Sequence, residues 1–366
     1  MNQKEKTDFS KEQEDVLKSV RISRIILPIL IGMGVVGYLL YKEYDAENFS
    51  RINWNAHVWF WISASVTLLI IRHLAYALRL RILSDGIFSW KKCIELVFIW
   101  EFSSAVSPTS VGGSAVALFV LSQEKLTTAK TAAIVIYSTV LDTIFFVGTL
   151  PILFLAFGPQ IIRPGLKSLS DIDGWGYTFI GAYFFMLTYG CLFYYGLFIN
   201  PMQIKRLLVG FTKLRFLKKY RRKAIELGDD IIIASKEIWE KRWSYHLGAF
   251  LSTATAWSCR FLLLNCLIIG LVELTSTDFF SQFTLFARLE TMFVIMAFSP
   301  TPGGAGFAEL VFNGFLFDYM PLDNGFISPF IAFIWRLLTY YLYLLVGAII
   351  IPNWIRNIMN ARKKED

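Results

Sequence analysis

Long apolar runs separated by short charged loops fill the chain from about residue 25 to 351, and several reach the ~20 residues that a helix needs to cross a bilayer. Full spans are predicted at about 25–41, 58–78, 131–157, 177–199, 247–271 and 327–351. Two further apolar segments are interrupted. The first enters near Ile94, breaks at 107–113 and resumes over 114–121; the second runs over 279–298, breaks at 299–306 and resumes to Phe317. Both breaks are built from proline and glycine, which remove a backbone donor and free the chain to reverse. In lipid the freed backbone groups must be satisfied by protein or a wet cavity. Paired breaks in corresponding places of two halves therefore point to a binding site.

Charge decides how the broken segments lie. Arg79, Arg81, Lys91 and Lys92 follow the second span, and Lys213, Arg215, Lys218, Lys219, Arg221, Arg222 and Lys223 form the strongest basic run. Both belong on the cytoplasmic side. A complete crossing by the first broken segment would put the second cluster outside, so that segment is expected to dip in and return. The second broken segment is flanked by Glu273, Asp278, Asp318 and Asp323 and by no Lys or Arg, which places it as a dip from the opposite face. The expected fold is an all-α polytopic membrane protein: six full spans plus two re-entrant broken-helix hairpins in an inverted repeat, with both termini cytoplasmic. Its parts are a cytoplasmic segment 1–22, a first membrane half 23–158, a second half 159–352 carrying a cytoplasmic insertion 200–243, and a tail 353–366. Within the insertion Leu227, Ile231, Ala234 and Ile238 share one helical face. That face suits either an amphipathic helix on the anionic inner leaflet or an elbow helix packed on protein.

With 55% hydrophobic and 16% aromatic residues, composition excludes a water-soluble fold. The net charge of +8 sits in short loops, so it reads as membrane orientation and not as nucleic-acid binding. Cys93, Cys191, Cys259 and Cys266 lie in or beside apolar runs without metal-ligand spacing, and His57, His73 and His246 are scattered. Neither a metal nor a cofactor is expected, since Walker, zinc-protease and nucleophile-elbow motifs are absent from the sequence. The N-terminal stretch mixes acids and bases and does not read as a signal peptide.

Eight ionisable residues fall within or near the apolar segments: Arg72, Glu101, Asp142, Arg260, Arg288, Glu290, Glu309 and Arg336. Each is costly in lipid, so most should face the protein interior. Arg72 and Arg260 hold matching places in the two halves, and Asp142 and Arg336 are near-equivalents in the final span of each. One reading pairs these charges off to lock the bundle. Another uses field direction: half-helices starting near Gly113 and Gly304 would aim free N–H groups and positive dipole ends at the membrane centre, favouring an anion such as a phosphate. The candidate binding set is then Pro108, Gly112, Gly113, Pro302, Gly303, Gly304, Gly306, Glu309, Arg260 and Arg336. Arg72, Glu101, Asp142 and Glu290 are candidates for coupling or charge pairing. The glycines serve tight helix packing equally well.

The string Pro302-Gly303-Gly304-Ala305-Gly306-Phe307-Ala308-Glu309, followed by a span bearing Arg336-Leu337, resembles the lysylphosphatidylglycerol synthase transmembrane (flippase-like) family over roughly residues 20–352. The resemblance implies an integral protein of the bacterial or archaeal cytoplasmic membrane. In the bifunctional members this region moves an aminoacylated phospholipid between leaflets and a separate soluble domain makes it. No synthase domain is expected here, since the last span lies close to residue 366. Its expected partners are a membrane phospholipid or lipid-linked substrate, the anionic inner leaflet, and a separate synthase or glycosyltransferase. The residues also admit a membrane transferase or hydrolase using Glu101, Asp142 or Glu309 as general base, or a non-catalytic partner of a glycosyl- or aminoacyltransferase.

Overall fold

The structure is a computed structural model. It describes Tyr41 and residues 53–106, 110–124, 126–214, 217–272, 275–299, 301, 304, 307–320 and 327–362, with backbone alone at 110–115, 169, 309, 361 and 362. The segment 1–22, the expected first span apart from Tyr41, and the far end of the tail lie outside the described residues.

Helices follow one another as α1 (Ala56–Leu83), α2 (Trp90–Val106), α3 (Ser110–Ser122), α4 (Thr128–Phe157), α5 (Gly174–Tyr194), α6 (Pro201–Phe211), α7 (Arg221–Trp239), α8 (Trp243–Leu271), α9 (Phe279–Met296), α10 (Phe307–Leu316), α11 (Ile327–Arg336) and α12 (Leu342–Arg362). A π turn, Tyr195–Ile199, extends α5, and another, Leu337–Tyr341, joins α11 to α12 in one continuous rod. No strand occurs among the described residues. Polar side chains fix where the long helices begin. Asn55, Thr127, Asp173 and Asp278 each accept a backbone N–H from the first turn of α1, α4, α5 and α9, satisfying donors that a helix start leaves open.

Among the described residues six segments are long and apolar enough to cross a bilayer: Ala56–Leu83, Thr128–Phe157, Gly174–Ile199, Trp243–Leu271, Phe279–Met296 and Ile327–Asn360. Five coincide with expected spans. The sixth is α9, the entering limb of the second broken segment. The helices after the breaks are shorter: α3 has 13 residues and α10 has 10. At 1.5 Å per residue these reach only about 20 and 15 Å, short of a ~30 Å hydrocarbon core. One boundary differs from the sequence reading. Helix resumes at Ser110, so Gly112 and Gly113 lie in the first turn of α3 and not in the break. Ser110 is a serviceable helix-start residue and a single glycine pair costs a helix only about 2 kcal/mol.

The two halves meet along α1 and α8, which run antiparallel over their whole length. His57 Nε2 lies 3.2 Å from the Ile269 carbonyl at one end, Ser65 Oγ donates to the Leu263 carbonyl, and Arg79 reaches Thr253 near the other end. Small residues make this approach feasible: a Cβ on Gly270 would fall 2.7 Å from Trp61 Cβ. The remaining helices cross over. α2 of the first half packs on α12 of the second, and α9 of the second packs on α4 of the first.

The insertion 200–243 folds into an α6–α7 elbow. Ile231, Ala234 and Ile238 of α7 are buried against α4 and α6, whereas Leu227 stays exposed. A polar clasp ties this elbow to the α1–α2 turn: Lys130 at the start of α4 bridges Asp85 and Glu237, and Lys241 reaches Asp85 at 2.8 Å. Burial opposes the ionised Asp85, but the hydrogen bonds and charges of Lys130 and Lys241 outweigh it and hold the carboxyl below its ordinary value. A depressed carboxylate stabilises above its unfolded value of ~3.9 and loses that contribution as pH falls through its folded value. The elbow is therefore expected to loosen below about pH 4. Amide-exchange protection across α7, corrected for intrinsic rates, should fall there, and Asp85→Asn should show the same loss at neutral pH. Equal protection in that variant would separate the clasp from elbow docking.

Candidate functional site

Arg72, Tyr76 and Arg79 follow one another at helical spacing on one face of α1. Arg72 is completely buried. Its Nη2 donates to Glu101 Oε1 of α2 at 2.7 Å and its Nη1 to Tyr343 Oη of α12 at 2.8 Å. The ring of Tyr76 lies between two guanidiniums, 5.1 Å from Arg72 Cζ and 4.7 Å from Arg79 Cζ. Arg79 in turn donates to Asp142 Oδ1 of α4 at 2.6 Å, and Trp257 Nε1 of α8 donates to the same oxygen at 2.9 Å. His73 packs 4.0 Å from Phe98 and touches Tyr343 Oη and the Ile94 carbonyl. Two ion pairs thus tie α1 to α2 and α4, and hydrogen bonds add α12 and α8; the carboxylates remain partly accessible, at 21% for Glu101 and 30% for Asp142.

Arg260 enters this cluster from α8, across the antiparallel seam from Arg72. It has no hydrogen bond or ion pair among the described residues. Its guanidinium instead rides on aromatic faces, 4.5 Å from Phe293 and 5.5 Å from Trp257. Three guanidiniums (Arg72, Arg79, Arg260) face two carboxylates (Glu101, Asp142), leaving one positive charge in excess. Cation–π contact is worth ~0.5–2 kcal/mol, so it shelters a charge without neutralising it.

Phe293 links this cluster to the second break. It packs 6.2 Å from Trp335, which stacks on Phe312 of α10 at 5.8 Å. The next residue, Arg336, is buried over the Tyr340 ring at 4.1 Å, and Tyr340 Oη donates to the Ala105 carbonyl at the lip of the first break. The π turn begins immediately after Arg336; such turns recur at functional sites. At the second break Ser299 is buried, with its Oγ 3.0 Å from Thr301 Oγ1, and Gly304 N–H donates to the Thr301 carbonyl.

Gly304 has φ +71°, the left-handed region, while a Cβ there would meet only ordinary contacts, the nearest Met296 Cε at 3.6 Å. The demand for glycine is thus conformational. Gly304→Ala should cost about 1–2 kcal/mol, and Gly304→Asn less, because asparagine tolerates this region. Thermal melting of the two variants checks the order; an alanine variant as stable as the wild type would remove the argument.

Of the expected binding residues, Pro108, Pro302, Gly303 and Gly306 lie outside the described residues, as does the side chain of Glu309. Arg260 and Arg336 belong to adjoining aromatic surroundings. Among the coupling candidates, Glu101 joins Arg72, but Asp142 joins Arg79 and not a second-half arginine. Charge counts Arg79 among the loop cations after the second span, yet it is buried within α1. Its spacing of seven from Arg72 carries the signal that it shares the same face. Glu290 stands apart, buried between α9 and α4 beside Thr149. Arg288 pairs with Asp318 at 2.6 Å.

Residues 25–347 match the family described as the lysylphosphatidylglycerol synthase TM region. A UPF0104 membrane protein of Archaeoglobus fulgidus is 22% identical over 340 residues, which cover 88% of this chain and 95% of that protein. No solved structure matches the chain significantly.

Proposed function

Because the chain belongs to the lysylphosphatidylglycerol synthase transmembrane-region family, we propose that this multi-pass membrane protein binds a lipid with a phosphate-containing headgroup at its centre and passes it between leaflets. Arg260 carries the reading. It is a cation at mid-helix in a membrane span, held only by aromatic faces, beside two ion pairs that already satisfy Arg72 and Arg79. A phosphate would supply the missing anion through charge-assisted hydrogen bonds. A site that binds too tightly cannot release, and the weak aromatic cradle gives the guanidinium somewhere to rest between lipids.

The route belongs to the two broken segments, taken here as re-entrant hairpins from opposite faces. The short returning helices α3 and α10 support that arrangement. The antiparallel α1–α8 seam and the reciprocal α2–α12 and α9–α4 packing support an inverted repeat. In this reading the protein lies in the cytoplasmic membrane with its termini inside, and a separate synthase or glycosyltransferase supplies its lipid. The elbow would rest on the anionic inner leaflet through α6 and not α7. Leu207 and Phe211 of α6, with Leu214 beyond its end, are exposed along one side, close to Arg206, Lys213, Lys218 and Lys219. Of the three bases that the sequence offers an enzyme, Glu101 and Asp142 are each engaged by an arginine, and the Glu309 side chain lies outside the described residues.

Reconstitution into liposomes with a fluorescent phosphatidylglycerol tests this, leaflet exchange being read by quenching from outside. Arg260→Gln should slow exchange about tenfold or more, since losing a charge-assisted hydrogen bond forfeits ~1.5–3 kcal/mol. Its melting temperature should stay near that of the wild type, because no carboxylate loses its partner. Wild-type exchange in the variant would rule out the assigned role of Arg260, and no exchange in the wild type would defeat the lipid reading.

A further inference from the structure

We propose that Glu290 is a proton-carrying site: in this conformation its carboxyl holds a proton, which it yields to water when α9 parts from α4. The protonation stands on geometry; its coupling to lipid movement rests on the function proposed above.

Glu290 is completely buried. Its Oε2 has no hydrogen-bond partner among the described residues, and its Oε1 makes a single short contact, with Thr149 Oγ1 of α4. No cation faces it. From α4 comes Thr149, and from α5 comes Tyr183, whose Oη donates to the Val147 carbonyl. On α9 itself Arg288 is engaged by Asp318 and the Gln160 carbonyl. From α8, Arg260 lies over Phe293. The Pro159–Ile161 turn contributes no ionisable side chain, and on α10 the one ionisable residue, Glu309, has no described side chain. A carboxylate so placed would be an isolated buried charge, which proteins avoid by neutralising the group.

The one hydrogen bond within reach of Glu290 among the described residues is a shared one. Thr149 Oγ1 also lies 2.7 Å from the Phe145 carbonyl, four residues earlier on its own helix. A carbonyl only accepts, and a hydroxyl has one hydrogen. An ionised Glu290 would therefore have at most this one hydrogen to draw on, shared with the Phe145 carbonyl, whereas a neutral carboxyl can itself donate to Thr149 Oγ1 and leave the hydroxyl hydrogen on Phe145.

The location suits a moving part. Pro151 lies within α4 and removes the donor that would bind the Val147 carbonyl, which Tyr183 takes instead at 3.2 Å. The helix is thus held at this point by side chains that can let go. Glu290 sits on α9, the helix that runs into the second break. When α9 and α4 separate, the carboxyl O–H bond breaks, the proton passes to water, and a hydrated carboxylate remains; reclosure requires a proton to return. Lipid passage and proton passage are then steps of one cycle.

The full chain in vesicles of phosphatidylglycerol and phosphatidylethanolamine provides the test. Infrared spectra at pH 7 should contain a neutral-carboxyl band in the wild type that is lost in Glu290→Gln. Absence of that band in the wild type, or its persistence in the variant, overturns the proton site, and the wild-type spectrum alone suffices for the first outcome should the variant fold poorly. For coupling, a pH difference of one unit across the membrane should bias the steady-state leaflet ratio of fluorescent phosphatidylglycerol about tenfold if one proton accompanies each lipid. Glu290→Gln should abolish the bias. An unbiased wild type, or the same bias in the variant, overturns coupling. Absent exchange in the wild type defeats the lipid reading and coupling with it, while leaving the infrared result to stand or fall separately.

Discussion

Glu101→Leu should destabilise the detergent-solubilised protein by about 3–5 kcal/mol, the usual cost of stripping a buried ion of its partner. Arg72 is wholly enclosed, its two terminal nitrogens are committed to Glu101 and Tyr343, and its Nε has no hydrogen-bond partner. Removing the carboxylate leaves a guanidinium that can neither reach water nor lose its proton. Replacing both residues, Arg72→Met with Glu101→Leu, should recover most of the loss, because an apolar pair of similar volume often matches a buried ion pair in stability. Thermal melting of both single variants and the double variant completes the cycle. A single Glu101→Leu variant no less stable than the double would show that the pair does not hold the bundle.

The second large effect is steric. α2 and α12 approach so closely at Gly347 that a Cβ there would lie 2.5 Å from Phe102 Cδ2 and 2.6 Å from its Cβ. The nearest atoms include the stiff base of a buried ring, so the side chain cannot simply swing aside. Gly347→Ala should cost about 1–3 kcal/mol through overpacking. It should also disturb Glu101, the neighbour of Phe102 in sequence. Phe102→Leu in the alanine background should return part of the loss, whereas Phe102→Leu alone should destabilise. Additive effects of the two changes, measured by melting, would show that the residues do not meet.

Much of the fold is legible as hydropathy. The spans around α1, α4, α5, α8 and α11–α12 declare themselves because lipid requires unbroken apolar length. The second break is equally plain, and the structure gives Gly304 the left-handed backbone that its residue type suggests. The first break is shorter than its residues suggest: Gly112 and Gly113 read as breakers, but the helix penalty of a glycine pair is only about 2 kcal/mol and α3 includes both. Charge was the poorest guide. Arg79 reads as a loop cation because the positive-inside signal counts residues near span ends and cannot see a partner 63 positions away on α4. Arg72 and Glu101 were each recognisable as costly in lipid, but their union depends on how two helices rotate, which pattern does not encode. In the insertion the regular α7 stripe is the conspicuous pattern and is buried on protein, whereas the less regular apolar side of α6 stays exposed.

The π turn between α11 and α12 has a geometric consequence. An i→i+5 turn adds a residue to a rod that otherwise advances 100° per residue, so the side chains above and below it no longer share one rotational register. Above it, α11 presents Trp335 to Phe293 and Phe312 of the second half; below it, α12 presents Tyr343 and Gly347 to α1 and α2 of the first. The turn lets a single helix be keyed to two partners whose grooves are out of phase. Were it to migrate by one turn along the rod, Arg336 would swing about its axis while the Gly347 contact stayed seated, so this helix can be indexed like a camshaft without being unseated.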